Sequence, residues 1–191
     1  MAFSVIHFGD MIDELGEDQS KQLIANFSCE LDDDVEFYLH EKAILFQKMG
    51  ISRTYLVYAP YKKENVLVGY FAIALKTMTV LPNVSPTLRK RLTGFKSSEF
   101  SAIPVILLGQ LAKNYESGYN SLISGEELLY LAFKKIIEAQ RAVGGRIILV
   151  ECKKHPYLIN FYTKYGFIKY DMDKHDGLLK YIREINGITL K

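Results

Sequence analysis

The chain has 191 residues, of which 49% are hydrophobic, and this is ample for one continuous core. We therefore expect a single domain spanning residues 1–191. The 24 basic and 22 acidic residues leave a net charge of +2, so the overall charge indicates no polyanionic partner, and any nucleic-acid role needs a local basic patch.

Cysteine usage and the N-terminus narrow the class of protein further. Cys29 and Cys152 are the only cysteines, and neither lies in a CxxC or His/Cys cluster that could hold a metal. The first residues lack the basic and apolar regions of a signal peptide, and no stretch approaches the roughly 20 apolar residues of a membrane span. We expect a cytoplasmic protein with no metal site and no membrane partner.

The first half of the chain predicts one helix and one hairpin. Three aspartates at residues 32–34 precede a run of helix formers from Val35 to Met49. Ser52 to Ala59 and Val66 to Leu75 are rich in Val, Tyr, Ile and Phe and flank a polar turn, which predicts an antiparallel hairpin. Residues 82–101 carry Pro, Ser, Gly and basic side chains, and they predict a loop with one short helix.

The second half alternates buried strands with helices. Continuous apolar runs indicate strands covered on both faces, and apolar residues at helical spacing indicate amphipathic helices. The predicted elements are a central strand at Pro104 to Leu111, a polar loop at Gly118 to Gly125, a helix at Glu126 to Arg141, a strand at Arg146 to Cys152, a helix at Pro156 to Tyr165, and closing strands at Phe167 to Met172 and Leu178 to Ile185. This order predicts an α/β (α+β) fold with a mixed, mostly antiparallel sheet and helices on both faces.

The loop from Gly118 to Gly125 joins a buried strand to an amphipathic helix. At such a place free backbone N–H groups and the helix dipole can bind a phosphate. The loop matches neither the Walker A pattern nor the GxGxxG fingerprint. A second interpretation is an ordinary loop in which Ser124 is the helix N-cap and Glu127 is its capping-box partner.

A second motif runs from Val150 through His155 and Pro156 to Phe161-Tyr162 and Gly166-Phe167. Together with the loop, this motif resembles the GCN5-related N-acetyltransferase family over roughly Ser52 to Tyr170. The resemblance implies the acyl-CoA N-acyltransferase fold, with a central pair of parallel strands that splay apart around the pantetheine arm of the cofactor. It also implies that acetyl-CoA is the co-substrate.

The resemblance assigns backbone groups to the cofactor. It implies that a backbone N–H near Leu111 or Ala112 polarises the thioester carbonyl. The pyrophosphate would rest on the N–H groups of Asn120, Ser121, Leu122, Ile123, Ser124 and Gly125. The family loop usually reads Gln/Arg-x-x-Gly-x-Gly/Ala, whereas here only Gly125 matches, and Ser121 and Ile123 stand where glycines are expected.

The resemblance assigns three side chains as well. Tyr162 matches the position whose phenol approaches the cofactor sulfur, so it is the candidate general acid that protonates the CoA thiolate. Phe161 would help to wall the pantetheine. His155 stands where the family often has an asparagine that contacts pantetheine. The alternative for Tyr162 is a buried tyrosine that only packs its ring.

Within the family, several runs resemble most the branch of toxins that acetylate aminoacyl-tRNA. The basic residues Arg89, Lys90 and Arg91 could then line an acceptor path for tRNA, although a plain solvated loop is the alternative. An antitoxin would be a further partner, and a homodimer is a further expectation. Glu151 is a candidate general base.

Three hypotheses follow for the function. The first is an N-acetyltransferase that transfers the acetyl group of acetyl-CoA to a primary amine. The second is a toxin-type enzyme that acts on the amino group of aminoacyl-tRNA. The third is a CoA-binding module without catalysis, which the altered glycine loop favours.

Overall fold

The computed structural model describes residues 2–96, 100–173 and 175–189. The chain forms two compact units, which we name by their order. The first unit comprises Met1–Ala74 and Gly109–Lys134, and the second unit comprises Leu75–Leu108 and Lys135–Lys191. That the whole chain is a single domain stays a prediction.

The sheet is mixed and mostly antiparallel, as the sequence predicts. In the described part of the chain its seven strands are β1 (Ser4–His7), β2 (Arg53–Tyr61), β3 (Glu64–Thr79), β4 (Ala102–Lys113), β5 (Ile147–Cys152), β6 (Ile168–Met172) and β7 (Leu179–Glu184). Their order is β1-β2-β3-β4-β5-β7-β6. Strands β4 and β5 run parallel, whereas β1 with β2, β2 with β3, β5 with β7 and β6 with β7 are antiparallel.

Seven α-helices accompany these strands in the described residues. They are α1 (Phe8–Leu15), α2 (Glu17–Ile24), α3 (Asp33–Phe37), α4 (Ala43–Lys48), α5 (Pro86–Thr93), α6 (Gly125–Val143) and α7 (Pro156–Lys164). Over the residues that the structure describes, none of the helices has the length and apolar character needed to cross a membrane.

In the first unit, the predicted hairpin is confirmed as β2 and β3. The two strands pair down to Tyr61 opposite Glu64, so Lys62 and Lys63 alone form the turn. Strand β1 adds to the free edge of β2. Strand β1 and helices α1 and α2 were not predicted from the sequence, because each is at most eight residues long and Gly16, with φ of 81°, separates the two helices.

The helix predicted from Val35 to Met49 is present, but it contains an irregular turn. Asp32 caps its start, since the carboxylate accepts a hydrogen bond from the N–H of Asp34 at 3.1 Å. The five residues Tyr38–Lys42 form a π-helical turn between α3 and α4. Such a turn inserts one extra residue into the helical ladder, which residue spacing in the sequence does not reveal. The Tyr38 ring stacks on that of Tyr70 in the core of this unit.

The second unit contains the short helix predicted within residues 82–101. Helix α5 begins with the Ser85 hydroxyl accepting from the N–H of Leu88 at 3.1 Å, and it ends at Gly94 with a φ of 89°. Residues 97–99 of that predicted loop lie outside the described residues. The core of this unit is formed by apolar side chains of β3, α5, β4, β5 and β7 and of the residue after β3, namely Met78, Val80, Leu92, Ile103, Val105, Ile147, Leu149 and Ile182.

The parallel pair at the centre of the sheet is short. Among the described residues, β4 and β5 pair only at Ile106 with Ile148 and at Leu107 with Leu149. Strand β5 continues to Cys152, and all of its residues from Ile147 onward pair with β7 on the other side. The predicted central parallel pair is therefore confirmed, and its ladder ends well before β5 does.

Candidate functional site

The end of β4, where a carbonyl-polarising N–H is predicted, lies very close to β3. A Cβ atom added at Gly69 would be 2.7 Å from the backbone oxygen of Ala112 and 3.3 Å from a side-chain carbon of Leu128. Ala112 is buried and Leu111 is half-buried. Because only glycine leaves room for this approach, Gly69 fixes the position of the β4 end within the first unit.

The segment predicted to bind pyrophosphate begins as a tight turn and not as an open glycine loop. Residues Glu116–Ser121 form a 3-10 helix, in which Ser117 and Gly118 have φ of 50° and 75°. The hydroxyl of Ser121 donates to the carbonyl of Gly118 at 2.8 Å. Asn120 and Ser121, two of the residues assigned to the cofactor, therefore lie within a hydrogen-bonded turn.

The next residues of this segment connect the turn to α6. The N–H of Leu122 donates to the carbonyl of Tyr119 at 3.0 Å, so it is already satisfied. Ile123 is only 2% exposed and anchors the segment in the core. Gly125 is the first residue of α6. The free donors that remain for an anion are consequently concentrated at the start of this helix.

The start of α6 carries the capping box that the second interpretation of the loop predicts. The Glu127 carboxylate accepts from the N–H of Ser124 and from its hydroxyl, both at 2.8 Å. In return, the Ser124 hydroxyl oxygen accepts from the N–H of Glu127 at 3.1 Å. The bond from the Ser124 N–H, followed by that from its hydroxyl, lowers the pKa of the Glu127 carboxyl. A negative charge therefore occupies one of the donors assigned to the pyrophosphate.

A cation lies at the opposite end of the same segment. The Lys113 ammonium, on the last residue of β4, donates to the carbonyl of Asn120 at 2.7 Å. Partial burial lowers the pKa of this lysine, because the charged form loses hydration. Lys113 is not among the residues predicted for the site, and its contact with the turn could not be inferred from spacing.

Asn114 ties the end of β4 to a distant part of the first unit. Its side chain is buried, its carbonyl oxygen accepts from the N–H groups of Ser28 and Glu116 at 3.0 Å each, and its amide donates to the carbonyl of Leu67 at 2.9 Å. The N–H of Tyr115 donates to the carbonyl of Ser28 at 2.7 Å. Asn114, two residues after Ala112, therefore anchors the end of β4 in the first unit.

In the second unit, Tyr162 lies in an aromatic cluster. Its ring contacts those of Phe161, Phe167 and Tyr181, with centroids 5.2, 5.4 and 6.5 Å away. Burial raises the pKa of the Tyr162 phenol well above its usual value, and Cys152 adds to the effect. Within the described residues its hydroxyl makes no hydrogen bond. The phenol is therefore neutral and available to donate a proton.

The other two side chains assigned by resemblance lie on or beside α7. His155 is exposed and is the N-cap of α7, where its Nδ1 accepts from the N–H of Tyr157 at 3.3 Å. Phe161 is half-buried, and its ring also stacks on that of Tyr157 at 6.3 Å. In the second unit, then, α7 carries a capped start, an aromatic wall and the Tyr162 phenol.

The structure places the three basic residues of α5 in different environments. Arg89 is only 7% exposed, and its guanidinium donates to the carbonyls of Leu81 and Pro82 at 3.2 and 3.1 Å. Lys90 and Arg91 are exposed, and Arg91 pairs with Glu184. The observed contacts of Arg89 hold the segment before α5, so Lys90 and Arg91 are the members of the trio that face solvent.

Glu151, the candidate base, is engaged by two cations. One carboxylate oxygen pairs with Lys76, and the other lies 3.9 Å from the ammonium of Lys180. These contacts fit an ion-pair network at the end of β5. Elsewhere, within the residues that the structure describes, no group of three or more His, Cys, Asp or Glu side chains could hold a metal ion.

Comparison with known proteins gives matches in structure alone. No family model matches the sequence, and no curated protein does. A tyrosine-to-phenylalanine mutant of KacT has a TM-score of 0.69 at 20% identity, covering 97% of this chain and 96% of that chain. AtaT complexed with acetyl-methionyl-tRNAfMet has a TM-score of 0.65 at 18% identity, covering 94% of each chain.

A third match carries both a partner and a cofactor. A tyrosine-to-phenylalanine mutant of the AtaT toxin, bound to the C-terminus of the antitoxin AtaR and to acetyl-CoA, has a TM-score of 0.65 at 16% identity, covering 96% of this chain and 94% of that chain. In each match, nearly the whole length of both chains is superposed. The chain therefore has the acyl-CoA N-acyltransferase fold that the resemblance implies, the fold shared by these GCN5-related toxin structures.

Proposed function

We propose that this protein is an N-acetyltransferase that transfers the acetyl group of acetyl-CoA directly to a primary amine. The observation that carries the proposal is Tyr162, a buried and neutral phenol whose hydroxyl makes no hydrogen bond within the described residues. Tyr162 lies on α7, the helix after β5, and the resemblance to the GCN5-related N-acetyltransferase family assigns the general acid to this position. The solved AtaT complex with acetyl-CoA supports the choice of co-substrate.

The reaction needs one bond to form and one to break. The amine nitrogen attacks the thioester carbonyl carbon, and the carbon–sulfur bond breaks as the new carbon–nitrogen bond is completed. The attacking amine loses its proton to water, which suits an α-amino group with a pKa near 8. A backbone N–H at Leu111 or Ala112 stabilises the developing oxyanion.

Tyr162 supplies the proton for the departing thiolate. Its raised pKa keeps the phenol protonated over the whole neutral range, although it also makes the phenol a weaker acid. The same apolar surroundings also destabilise the CoA thiolate. The thiolate that forms as the carbon–sulfur bond breaks therefore takes the proton from the phenol. The phenolate then regains a proton from water.

The remaining groups bind the cofactor. The backbone between Asn120 and Gly125 binds the pyrophosphate, with the strongest contribution from the N–H groups at the start of α6. Phe161 contacts the pantetheine arm. His155, at the N-terminus of the same helix, is the second side chain that would contact it. The pantetheine arm would lie along β5, because this strand continues to Cys152 beyond its last pair with β4 at Leu149 and a strand can accept an extended ligand.

For the acceptor we propose the amino group of aminoacyl-tRNA. A specific observation favours this substrate, since the solved AtaT structure holds acetyl-methionyl-tRNAfMet. The exposed cation of Lys90 offers a contact for phosphates, and so does that of Arg91 if it leaves its ion pair with Glu184. By the same comparison an antitoxin would be a partner, as AtaR is of AtaT. A homodimer stays a prediction.

The decisive experiment compares the wild type with Tyr162→Phe in an assay with acetyl-CoA and charged methionyl-tRNAfMet, with uncharged tRNA as the control. We expect kcat to fall by roughly 10²- to 10⁴-fold because the general acid is lost. The Kd of acetyl-CoA should change little, because the phenylalanine ring keeps the packing. Release of free CoA and formation of acetyl-methionyl-tRNA are both measured.

Two results would contradict the proposal. Full kcat in Tyr162→Phe across pH 6 to 9 would remove the acid role. Binding of acetyl-CoA without turnover on charged tRNA or on any simple amine would instead favour the CoA-binding module without catalysis.

A further inference from the structure

One donor assigned to the pyrophosphate, the N–H of Ser124 just before α6, is already occupied by a side chain of the helix itself. One carboxylate oxygen of Glu127 accepts from both the N–H and the hydroxyl of Ser124, at 2.8 Å each. These are charge-assisted bonds, which are roughly twice as strong as neutral ones. The Glu127 carboxylate is therefore fixed on the donors of Ser124.

A phosphate bound at the same place would need the same groups. The N-terminus of a 19-residue helix such as α6 attracts anions through its free N–H groups and its dipole. Glu127 has satisfied one donor and neutralises part of that attraction, and Glu126 adds a second carboxylate to the first turn. Two anions so close together repel each other, so the carboxylate and a phosphate exclude one another from the Ser124 N–H.

A second donor of the segment is occupied as well. The N–H of Leu122 is bonded to Tyr119, and the glycines typical of the family loop are absent at Ser121 and Ile123. Lys113 is the nearby cation, but its ammonium bonds the carbonyl of Asn120 at the far end of the turn. Of the N–H groups assigned to the pyrophosphate, those of Leu122 and Ser124 are therefore already bonded within the protein.

We propose that Glu127 is a built-in competitor of the acetyl-CoA pyrophosphate, so that cofactor binding requires its carboxylate to leave the Ser124 N–H. This inference rests on the proposed function and deepens it, because it identifies a residue that sets the cofactor affinity of that same site. The capping box stabilises the free protein, and each molecule of acetyl-CoA that binds must first break it.

Two substitutions separate the charge of Glu127 from its role as a cap. Glutamine is the other residue that closes a capping box at this position, so Glu127→Gln keeps the geometry and removes the negative charge. Glu127→Ala removes both. A purely structural role would make both variants bind acetyl-CoA as well as the wild type or worse, whereas competition makes both bind more tightly.

The test is calorimetric titration of acetyl-CoA into the full-length wild type, Glu127→Gln and Glu127→Ala, with thermal unfolding measured on the same samples. We expect Kd to fall about two- to tenfold in both variants, since a repelling charge leaves the anion site. Unfolding temperature should fall at least in Glu127→Ala. Tighter binding by a less stable protein is the signature of competition.

Two controls define where the gain originates. Glu138→Gln changes the net charge by the same amount on the same helix, away from the first turn, and it should leave Kd unchanged. S-acetylpantetheine has no pyrophosphate, so its binding, followed by NMR titration, should not differ between the wild type and Glu127→Gln.

The outcomes separate this inference from the proposed function. Equal or weaker acetyl-CoA binding by both variants would overturn the inference alone, and so would an equal gain with S-acetylpantetheine. No binding of acetyl-CoA by any of the four proteins would overturn the proposed function and this inference with it.

Discussion

The end of β4 in the first unit and helix α7 in the second unit are built from opposite chemistry. Around β4, Lys113, Asn114 and Glu127 hold backbone groups by polar and charged hydrogen bonds. On α7, Tyr162 is held by aromatic rings, with no hydrogen bond of its hydroxyl within the described residues. Polar bonds fix backbone donors but also use them up, whereas packing fixes a side chain and leaves its hydroxyl available.

The largest expected effect is on the aromatic side of this comparison. Phe167 is 1% exposed and its ring meets that of Tyr162, so Phe167→Ala leaves a cavity beside the phenol. We expect a loss of roughly 3–5 kcal/mol in the free energy of unfolding, measured by urea denaturation. Phe167→Leu is the matched control and should lose much less. Similar losses for the two variants would show that packing around Tyr162 is loose.

The next effect is on the polar side. Asn114→Ala leaves the N–H groups of Ser28 and Glu116 and the carbonyl of Leu67 without their partner in a buried place. We expect a loss of about 2–3 kcal/mol in the free energy of unfolding, since each unsatisfied buried group costs roughly 1–3 kcal/mol and water reaches some of them. Asn65→Ala, on an exposed residue, is the control. Equal stability of the two variants would show that Asn114 is no anchor.

The smallest effect is a pair of opposite pH slopes. The pKa of Tyr162 is raised, so the folded state keeps a proton that the unfolded chain releases above about pH 10, and stability from this group is lost as pH rises. The pKa of Lys113 is lowered, so the unfolded chain binds more protons than the folded state, and this group makes stability rise toward alkaline pH.

Urea denaturation at pH 9, 10 and 11 can measure both slopes. Relative to the wild type, the free energy of unfolding should fall less steeply with pH in Tyr162→Phe and more steeply in Lys113→Met. Tyr61→Phe, in an exposed tyrosine, should follow the wild type. A change of the same sign in Tyr162→Phe and Lys113→Met would break the comparison between the two regions.

The sequence predicted those parts of the fold that local patterns encode. Continuous apolar runs gave β4 and β5, helical spacing gave α6, and the two β-rich segments gave the β2–β3 hairpin. The N-terminal β1, α1 and α2 were missed because short elements carry few periods of any pattern. The π-helical turn at Tyr38–Lys42 was missed because one extra residue in the helical ladder leaves no mark in residue spacing.

In the candidate site, too, contacts between residues close in sequence were predictable and contacts between distant residues were not. The Ser124 and Glu127 capping box is a contact between residues three apart, so the sequence contained it. The contacts of Asn114 with Ser28 and with Leu67 span 86 and 47 residues, and no local signal reports them. That Arg89 would be buried against Leu81 and Pro82 was equally beyond a count of charges.

The contact between Asn114 and Ser28 also has a consequence for the order of events during synthesis. The two residues are 86 positions apart, and ribosomes add about 5–20 residues per second, so Ser28 waits roughly 4–17 s before its partner is made. Until then the first 30 residues have no binding site at the end of β4. The backbone donors of the proposed acetyl-transfer site can therefore reach their final arrangement only after most of the chain has left the ribosome.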